Sequence, residues 1–137
     1  MKRLRKIKDY LISEGGFKSL NISCHTGVGE IVPVEQHTET GVYLFVDKYQ
    51  ATMFIEDVSE KELNYIKLLM YEWFRLNKQD EEESFRISSD EIDDLASLVT
   101  IDMTLVEITH LIFDPDGKIE REGNFYSIGE EPVPVGI

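Results

Sequence analysis

The spacing of apolar residues changes its period once near the middle of the chain. Over residues 49–55 apolar and polar side chains alternate, which predicts a strand with one solvated face. Farther on, apolar residues recur at steps of three and four, the spacing of an amphipathic helix. Ser59 and Glu62 stand where a capping box starts such a helix. The pattern predicts a long strand that leads directly into a helix over residues 59–79, and the two elements bury each other's apolar faces.

The residues before this pair predict a helix and two short strands. Residues 2–13 place apolar side chains on one helical face and basic side chains on the other. Alternation over residues 20–24 predicts a strand, and residues 25–30 look like a glycine-containing link. A second strand is predicted around Pro33, and the proline favours the edge of a sheet because it cannot donate a backbone hydrogen bond.

The residues after the pair predict further strands and turns. Residues 79–84 predict a solvated acidic loop, and residues 90–94 a charged turn around a buried Ile92. Residues 98–109 predict a strand whose apolar parity changes, which indicates a bulge near Leu105 and Val106. The sequence Asp-Pro-Asp-Gly over residues 114–117 predicts a turn, followed by the returning arm of a hairpin.

Together these elements predict one α+β domain over residues 1–137. Its sheet is mixed or mainly antiparallel and is flanked by the N-terminal helix and the central helix. Residues 129–137 contain two prolines and no pairing pattern, so an extended tail is expected there. The predicted core consists of Tyr49, Met53, Ile55, Leu63, Ile66, Met70, Trp73, Val99, Ile101 and Met103.

Net charge is the strongest feature of the composition. The chain carries 14 basic and 27 acidic residues, a formal charge of −13. Five of the basic residues fall within the first eight positions, and the remaining sequence carries −18. Such an acidic body repels a phosphate backbone, so specific nucleic-acid binding is not expected. The bland explanation is solubility alone.

The basic N-terminal helix has three interpretations. It lies on a membrane surface, packs on its own domain with solvated charges, or contacts the acidic body of a neighbouring copy. The second is favoured because the segment is short. No apolar run is long enough to span a membrane, and no signal peptide is recognised. The single cysteine, Cys24, fits a reducing compartment.

Candidate catalytic residues do not form a recognisable motif. Cys24 and His25 are adjacent, and neighbouring residues of a strand point to opposite faces, so they make a poor nucleophile and base. The three histidines show no metal-binding spacing, and the acidic run at residues 90–94 lacks the spacing of a calcium loop. No cofactor is expected. A pair of carboxylates that acts as acid and base stays open.

Several stretches, in their order, resemble the tail completion protein R family of contractile-tailed temperate phages. The resemblance covers roughly residues 4–112. Its most specific part is Y-x-x-x-x-x-I-x-D, a short polar linker, and a helix that ends in L-L-x-x-E-W-F-R-x-N-x-x-D. The stretches are LRKIKDYL, SLNIS, YQATMFIEDVSEKELNYIKLLMYEWFRLNKQD and FRISSDEIDDLASLVTIDMTLVE.

The resemblance implies a structural protein, not an enzyme, with an α+β fold. Such proteins look like tail terminators, which form a ring, commonly a hexamer, on the end of the tail tube. The implied partners are further copies of the chain, tail tube and sheath proteins, and head connector proteins. The implied location is the cytoplasm of the bacterial host during assembly and afterwards the virion tail.

Two sets of charged residues are candidate surfaces for this role. Basic residues of the N-terminal helix are a hypothetical subunit interface: Lys2, Arg3, Arg5, Lys6 and Lys8. Acidic residues are a hypothetical outer surface or lumen that keeps passing DNA from binding: Glu81, Glu82, Glu83, Asp90, Glu91, Asp93 and Asp94.

Three alternatives come from other classes of protein. The first is an acidic protein-binding module with a partner groove near Trp73 and Phe74. The second is an immunity-type protein that neutralises a basic toxin. The third is a small acid/base enzyme, which would require a pocket that holds a carboxylate with a raised pKa.

Overall fold

The computed structural model describes residues 2–92 and 96–129, and two helices and six strands account for most of them. The elements in chain order are α1 (Lys2–Gly15), β1 (Ile22–His37), β2 (Gly41–Val58), α2 (Glu60–Asn77), β3 (Ser84–Glu91), β4 (Ser97–Phe113), β5 (Ile119–Arg121) and β6 (Asn124–Ile128). A short 3-10 turn, Ser19–Asn21, links α1 to β1. The predicted α+β fold with an N-terminal and a central helix is confirmed.

Every strand pair of the curled six-stranded sheet is antiparallel, and β4 is its central strand. On one side β4 pairs with β2 along nearly its whole length, and β1 lies beyond β2. On its other side the first half of β4 pairs with β3 and its last residues pair with β6. Between β3 and β6, a stretch of β4 has no partner strand on this side, so its backbone groups can hydrogen-bond to side chains.

The strand and helix predicted around residue 59 are present with the predicted cap. The Glu62 backbone N–H donates to Ser59 Oγ at 3.2 Å, and the Ser59 backbone N–H donates to Glu62 Oε1 at 3.1 Å. This capping box ends β2 and starts α2 within two residues. Because the link is so short, α2 folds back across the sheet that β2 belongs to.

Both helices pack on one face of the sheet and enclose the main core. Leu4, Ile7 and Leu11 of α1 are buried, and so are the inward positions of β2, β4 and α2. Among the ten residues expected in the core, Leu63 is half-buried against the cluster and the others are buried. A second, smaller cluster lies at the other end of the sheet, where Val42, Leu111 and Tyr126 meet.

The first two predicted strands are one continuous strand, so the predicted link at residues 25–30 is wrong. β1 pairs with β2 from Ile22 to His37, with register shifts between Thr26 and Gly29 and between Pro33 and Gln36. The glycines and the proline produce irregularities within the strand, not a break. An edge strand tolerates them because its outer backbone groups need no partner strand. The edge position predicted for Pro33 is confirmed.

The bulge predicted near Leu105 and Val106 is also wrong. β4 keeps a continuous register with β2 there, and both side chains are fully buried on opposite faces. The sheet is therefore covered on both faces at this point, which explains two consecutive apolar residues without a bulge. The register shifts of this strand pair lie elsewhere, between Tyr43 and Phe45 and between Ile55 and Val58 of β2.

Two apolar side chains that were expected inside lie outside. Ile92 is 71% exposed, and Leu76, on the predicted apolar face of α2, is 67% exposed. Ile92 follows the last residue of β3, where no further element covers it within the described part of the chain. Asp93, Asp94 and residues 130–137 of the predicted tail lie outside the described residues.

The turn predicted after β4 is present, but the segment predicted as a single returning arm is divided into two strands. The Gly117 backbone N–H donates to the Asp114 carbonyl oxygen at 2.9 Å, which closes the turn. β5 and β6 then form a hairpin through Glu122 and Gly123, both with positive φ, at 51° and 85°. Two such residues in succession match the twist of the strands they join.

Candidate interaction surfaces

The candidate catalytic side chains do not converge in the structure. Cys24 pairs with Met53 and His25 with Thr52 across the β1–β2 ladder, so their side chains leave opposite faces. Burial raises the pKa of the Cys24 thiol, although the nearby Lys8 lowers it. A raised pKa disfavours the reactive thiolate. Within residues 2–92 and 96–129, no three His, Cys, Asp or Glu side chains are arranged to hold a metal ion.

Arg3 lies inside the protein, in contrast to its proposed role in an exposed basic interface. Its side chain is paired with Glu83 through two hydrogen bonds, Nε–Oε2 at 2.8 Å and Nη2–Oε1 at 2.6 Å. The guanidinium also donates to the Asn77 carbonyl oxygen and lies 4.9 Å from the centre of the Trp73 ring. Arg3 is therefore part of the fold and is not available to a neighbouring copy.

Glu83 is buried as well, so the predicted solvated loop is wrong at this residue. Besides Arg3, its carboxylate accepts hydrogen bonds from the backbone N–H groups of Gln79 at 2.8 Å and Val106 at 3.0 Å. The Val106 N–H lies just beyond the last β3 pairing, so Glu83 takes the place of a strand there. Sequence offered one signal for this pair: Arg3 shares a helical spacing of four with Ile7 and Leu11.

A second carboxylate fixes the start of α1 on the sheet. Glu107 Oε1 accepts hydrogen bonds from the backbone N–H groups of Lys2 at 2.9 Å and Arg3 at 3.4 Å. These N–H groups belong to the first turn of the helix, where a negative charge is favourable. Glu107 also lies beside the buried Tyr49 hydroxyl, and burial together with this neighbour raises the pKa of Tyr49. The first turn of α1 is thus held by two carboxylates.

The other basic residues of α1 remain at the surface. Lys2, Arg5 and Lys6 are exposed and Lys8 is half-exposed, and these four side chains form what we call the basic surface of α1. The apolar side of the helix packs on α2 and on the sheet. This arrangement is the expected one of a helix docked on its own domain with solvated charges. None of the described helices is long and apolar enough to cross a membrane.

Six exposed carboxylates gather around the start of β4. The ends of β2 and β3 flank Ser97, since Val58 and Glu91 both pair with it. The start of α2 lies beside them. We call this region the acidic end; its exposed carboxylates are Glu56, Asp57, Glu60, Glu62, Asp90 and Glu91.

The acidic end and the start of α1 lie at different positions along the same strand. The start of α1 is bound to Glu107, ten residues after Ser97, which corresponds to about 30 Å along β4. The start of α1 is therefore separated from the acidic end along the long dimension of the sheet, whereas Lys8 lies near Cys24, whose partner Met53 pairs with Ile101, four residues from Ser97. The sequence hinted at this through the basic run at residues 2–8, whereas strand pairing was needed to bring the carboxylates together.

The acidic residues proposed for a lumen do not form one cluster. Glu81 and Glu82 are exposed before β3, and Asp90 and Glu91 are exposed at its other end. Seven residues of extended chain, about 23 Å, separate the two groups. Glu82 also makes a 2.7 Å ion pair with Lys48, which raises the pKa of that lysine mainly through the hydrogen bond.

An apolar groove runs between the second half of α2 and β3. It has a volume of about 390 Å³, and Tyr71, Phe74 and Phe85 form its apolar walls, with Arg75 and Lys78 on its rim. Phe74 and Phe85 contact each other with ring centres 4.9 Å apart. Trp73 does not contribute, because it is buried beneath Arg3. The groove predicted near Trp73 and Phe74 therefore exists, but Tyr71 and Phe85 define it.

These surfaces are typical of a structural protein that works through contacts with other proteins. The profile of the P2 phage tail completion protein R family matches residues 1–125, so the chain belongs to this family. No curated protein and no solved structure matches the chain significantly. The chain therefore has a phage tail completion role, as a virion tail component that interacts with other tail components.

Proposed function

We propose that this tail completion protein caps the end of the tail tube as a ring and helps to join the tail to the head. A closed ring requires heterologous contacts, in which one patch of a subunit meets a different patch of the next. Its partners are further copies of the chain, tail tube and sheath proteins, and head connector proteins. The role is structural and requires no catalytic step.

The observation that carries the ring is the separation of charge along β4. The start of α1 lies about 30 Å from the acidic end along β4, so a copy placed head to tail brings the basic helix and the acidic end together. Each further copy repeats that contact, and the copies close into a ring when the rotation between neighbours returns to the first copy. Such complementarity mainly steers encounter and fixes register.

A charge-removal experiment tests this contact. Arg5→Ser with Lys6→Ser removes two exposed cations from α1, and Lys67→Ser with Lys118→Ser removes two exposed cations elsewhere. We expect the α1 variant to need about tenfold more protein for half-maximal assembly at low salt, since exposed ion pairs contribute up to about 1 kcal/mol each. Light scattering over a series of salt concentrations measures it.

The matched control defines the outcome. It changes net charge equally, so its assembly should stay near that of the unmodified protein, and salt should weaken both. Equal effects of the two variants would show that overall charge matters and not the α1 surface. Assembly of the α1 variant at the original concentration would refute the contact.

The exposed pair Glu81 and Glu82 is the better candidate for a lumen, because Asp90 and Glu91 belong to the acidic end used between copies. A negative lumen would keep passing DNA from binding. Cysteine labelling at residue 81, in a Cys24→Ser background, locates this loop on tails by electron microscopy. A label on the outer rim would end the lumen proposal.

Tail completion itself is tested by complementation. Tails assembled without this protein should be of irregular length or fail to join heads, and the intact chain should restore them. Genes for tube and sheath proteins beside its own gene would support the same function. Normal tails in its absence would refute it, whatever the protein's state of assembly.

A further inference from the structure

The groove between α2 and β3 combines apolar walls with a basic rim. Of the wall residues, Tyr71 is exposed and Phe85 is half-buried, so apolar surface in the groove is open to a partner. On the rim, Arg75 pairs with Glu72 of its own helix at 2.7 Å, whereas Lys78 is exposed and makes no ion pair with any residue that the structure describes. The groove therefore suits an apolar side chain that stands beside carboxylates.

Ile92 is such a side chain, and it lies at the other end of β3. It is 71% exposed and directly follows Asp90 and Glu91, which are both exposed. The Ile92 backbone N–H donates to the Ala96 carbonyl oxygen at 3.1 Å, which holds this residue beside the start of β4. The backbone that carries an exposed apolar side chain is thus anchored within the acidic end.

We propose that Ile92 of one copy enters the groove of the next copy, where the carboxylates beside Ile92 meet the basic rim. The contact rests on the self-assembly proposed above and names the surfaces that meet in it. Burial of the Ile92 side chain supplies the apolar part of the contact, and Asp90 and Glu91 supply the charged part. Ile92 and the groove are different patches of one subunit, so the contact is heterologous, as a ring requires.

Ile92 cannot reach the groove of its own copy. Phe85 pairs with Met103 and Glu91 pairs with Ser97, and the register between them is unbroken. Seven residues of extended chain, about 23 Å, separate Phe85 from Ile92. Because the pairing of β3 with β4 fixes this distance, an Ile92 that occupies the groove must come from another copy.

Charge complementarity selects Ile92 among the exposed apolar side chains. Among the exposed large apolar residues that the structure describes, Ile92 alone directly follows two acidic residues. Leu76, in contrast, follows Arg75 and would bring like charges together at the rim of the groove. A rim with an unpaired lysine favours the acidic partner, and a second copy of this chain, with its formal charge of −13, is one.

The groove also lies at the same end of the sheet as the start of α1. Glu83, which lines the groove, accepts two hydrogen bonds from the Arg3 side chain. The Arg3 guanidinium also donates to the carbonyl oxygen of Asn77, the residue before Lys78. A neighbouring copy that brings its acidic end to the start of α1 can therefore bring Ile92 to the groove in the same placement.

Removal of the Ile92 side chain from the full-length protein tests the contact. Ile92→Ser deletes the apolar group without a change of charge, and Leu20→Ser does the same in the 3-10 turn, at a side chain that is 95% exposed. We expect Ile92→Ser to require about tenfold more protein for half-maximal assembly in sedimentation velocity, and Leu20→Ser to assemble as the unmodified protein does. Equal effects of the two variants, or none, would overturn the proposal.

Salt separates this contact from the charge contact of the proposed ring. The deficit of Ile92→Ser should persist at high salt because apolar burial is not screened, whereas the deficit of Arg5→Ser with Lys6→Ser should fade. Normal assembly of Ile92→Ser beside weak assembly of the α1 variant would overturn this contact and leave the proposed function intact. Failure of the unmodified protein to assemble would instead refute the proposed ring, and this contact with it.

Cross-linking locates the contact directly. In a Cys24→Ser background, a variant with Ile92→Cys is mixed with a tagged variant with Tyr71→Cys, so a disulfide between the two variants joins two copies. We expect this mixed disulfide under mild oxidation, and none when Leu20→Cys replaces Ile92→Cys, because a disulfide requires two closely spaced backbones. Absence of the mixed disulfide, or an equal yield from Leu20→Cys, would overturn the proposal.

Discussion

Arg3 is a charged residue that contributes to the fold and not to the surface. It belongs to a basic run that looks like a solvated surface, yet it is buried with Glu83 between α1, α2 and β4. Arg5 and Lys6, which follow it on α1, are exposed. Within residues 2–8, one cation, Arg3, thus holds the helix on the protein, and the other cations lie at the surface.

Breaking the Arg3–Glu83 pair should destabilise the protein strongly. Arg3→Met leaves the Glu83 carboxylate buried without its counter-charge, and we expect a loss of about 3–5 kcal/mol in the free energy of unfolding. Urea denaturation measures it. Glu82→Gln, which breaks the exposed pair with Lys48, is the control and should cost less than about 1 kcal/mol. Similar losses for both would contradict a structural role for Arg3.

His110 should make stability depend on pH. Burial, and to a lesser extent Lys2, lowers its pKa, and its ring packs edge-on against Tyr43. The unfolded chain therefore binds a proton first, near pH 6.5, so stability should fall as the pH drops below about 6.5. We expect His110→Phe to lose less stability than the unmodified protein between about pH 7.5 and about pH 5.5. If the urea midpoint of unfolding shifts equally with pH in the two proteins, this prediction is contradicted.

At the scale of elements, the direct handover from β2 to α2 sets the architecture. The link is so short that the capping box of Ser59 and Glu62 fixes both where the strand ends and where the helix starts. The broad apolar face of α2 then has only the sheet to cover. The helix α2, which the sequence predicted, thereby positions the groove beside β3.

Removing the cap tests how much the capping box contributes to the free energy of unfolding. Ser59→Ala deletes the hydroxyl that accepts the Glu62 N–H, and we expect a loss of about 1 kcal/mol in stability. Ser13→Ala, at an exposed site of α1, should be neutral or slightly stabilising because alanine favours helix. A neutral Ser59→Ala would mean that packing alone fixes the start of α2.

Sequence periodicity predicted the long helices and strands well, and it predicted the breaks and bulges of the strands poorly. α1, β2, α2 and β4 carry strong periods and were predicted. β1 was split because glycine and proline indicate turns, whereas the edge position of the strand removes their cost. The two buried residues at 105 and 106 looked like a bulge because a period cannot show that both faces are covered there.

Long-range pairing explains what sequence could not supply about the surfaces. Glu83 carries no local sign of burial, since Arg3 and Val106 reach it only in the folded chain. The acidic end likewise gathers carboxylates from β2, α2 and β3 around Ser97. The basic run, being local, was visible from the start.

At the scale of the whole molecule, the proposed contact between copies depends on surface charge, which acts over a distance and weakens with salt. Moderate salt should therefore slow formation of the proposed ring, and light scattering over a series of salt concentrations would measure this effect.

The fastening of α1 also determines when a subunit becomes complete. Arg3 leaves the ribosome 80 residues ahead of Glu83 and 104 residues ahead of Glu107, the two carboxylates that hold it. Until these carboxylates are synthesised, α1 cannot form its contacts with them, so its cations belong to an incomplete chain. Each subunit therefore acquires its charged helix in its final place only late in synthesis.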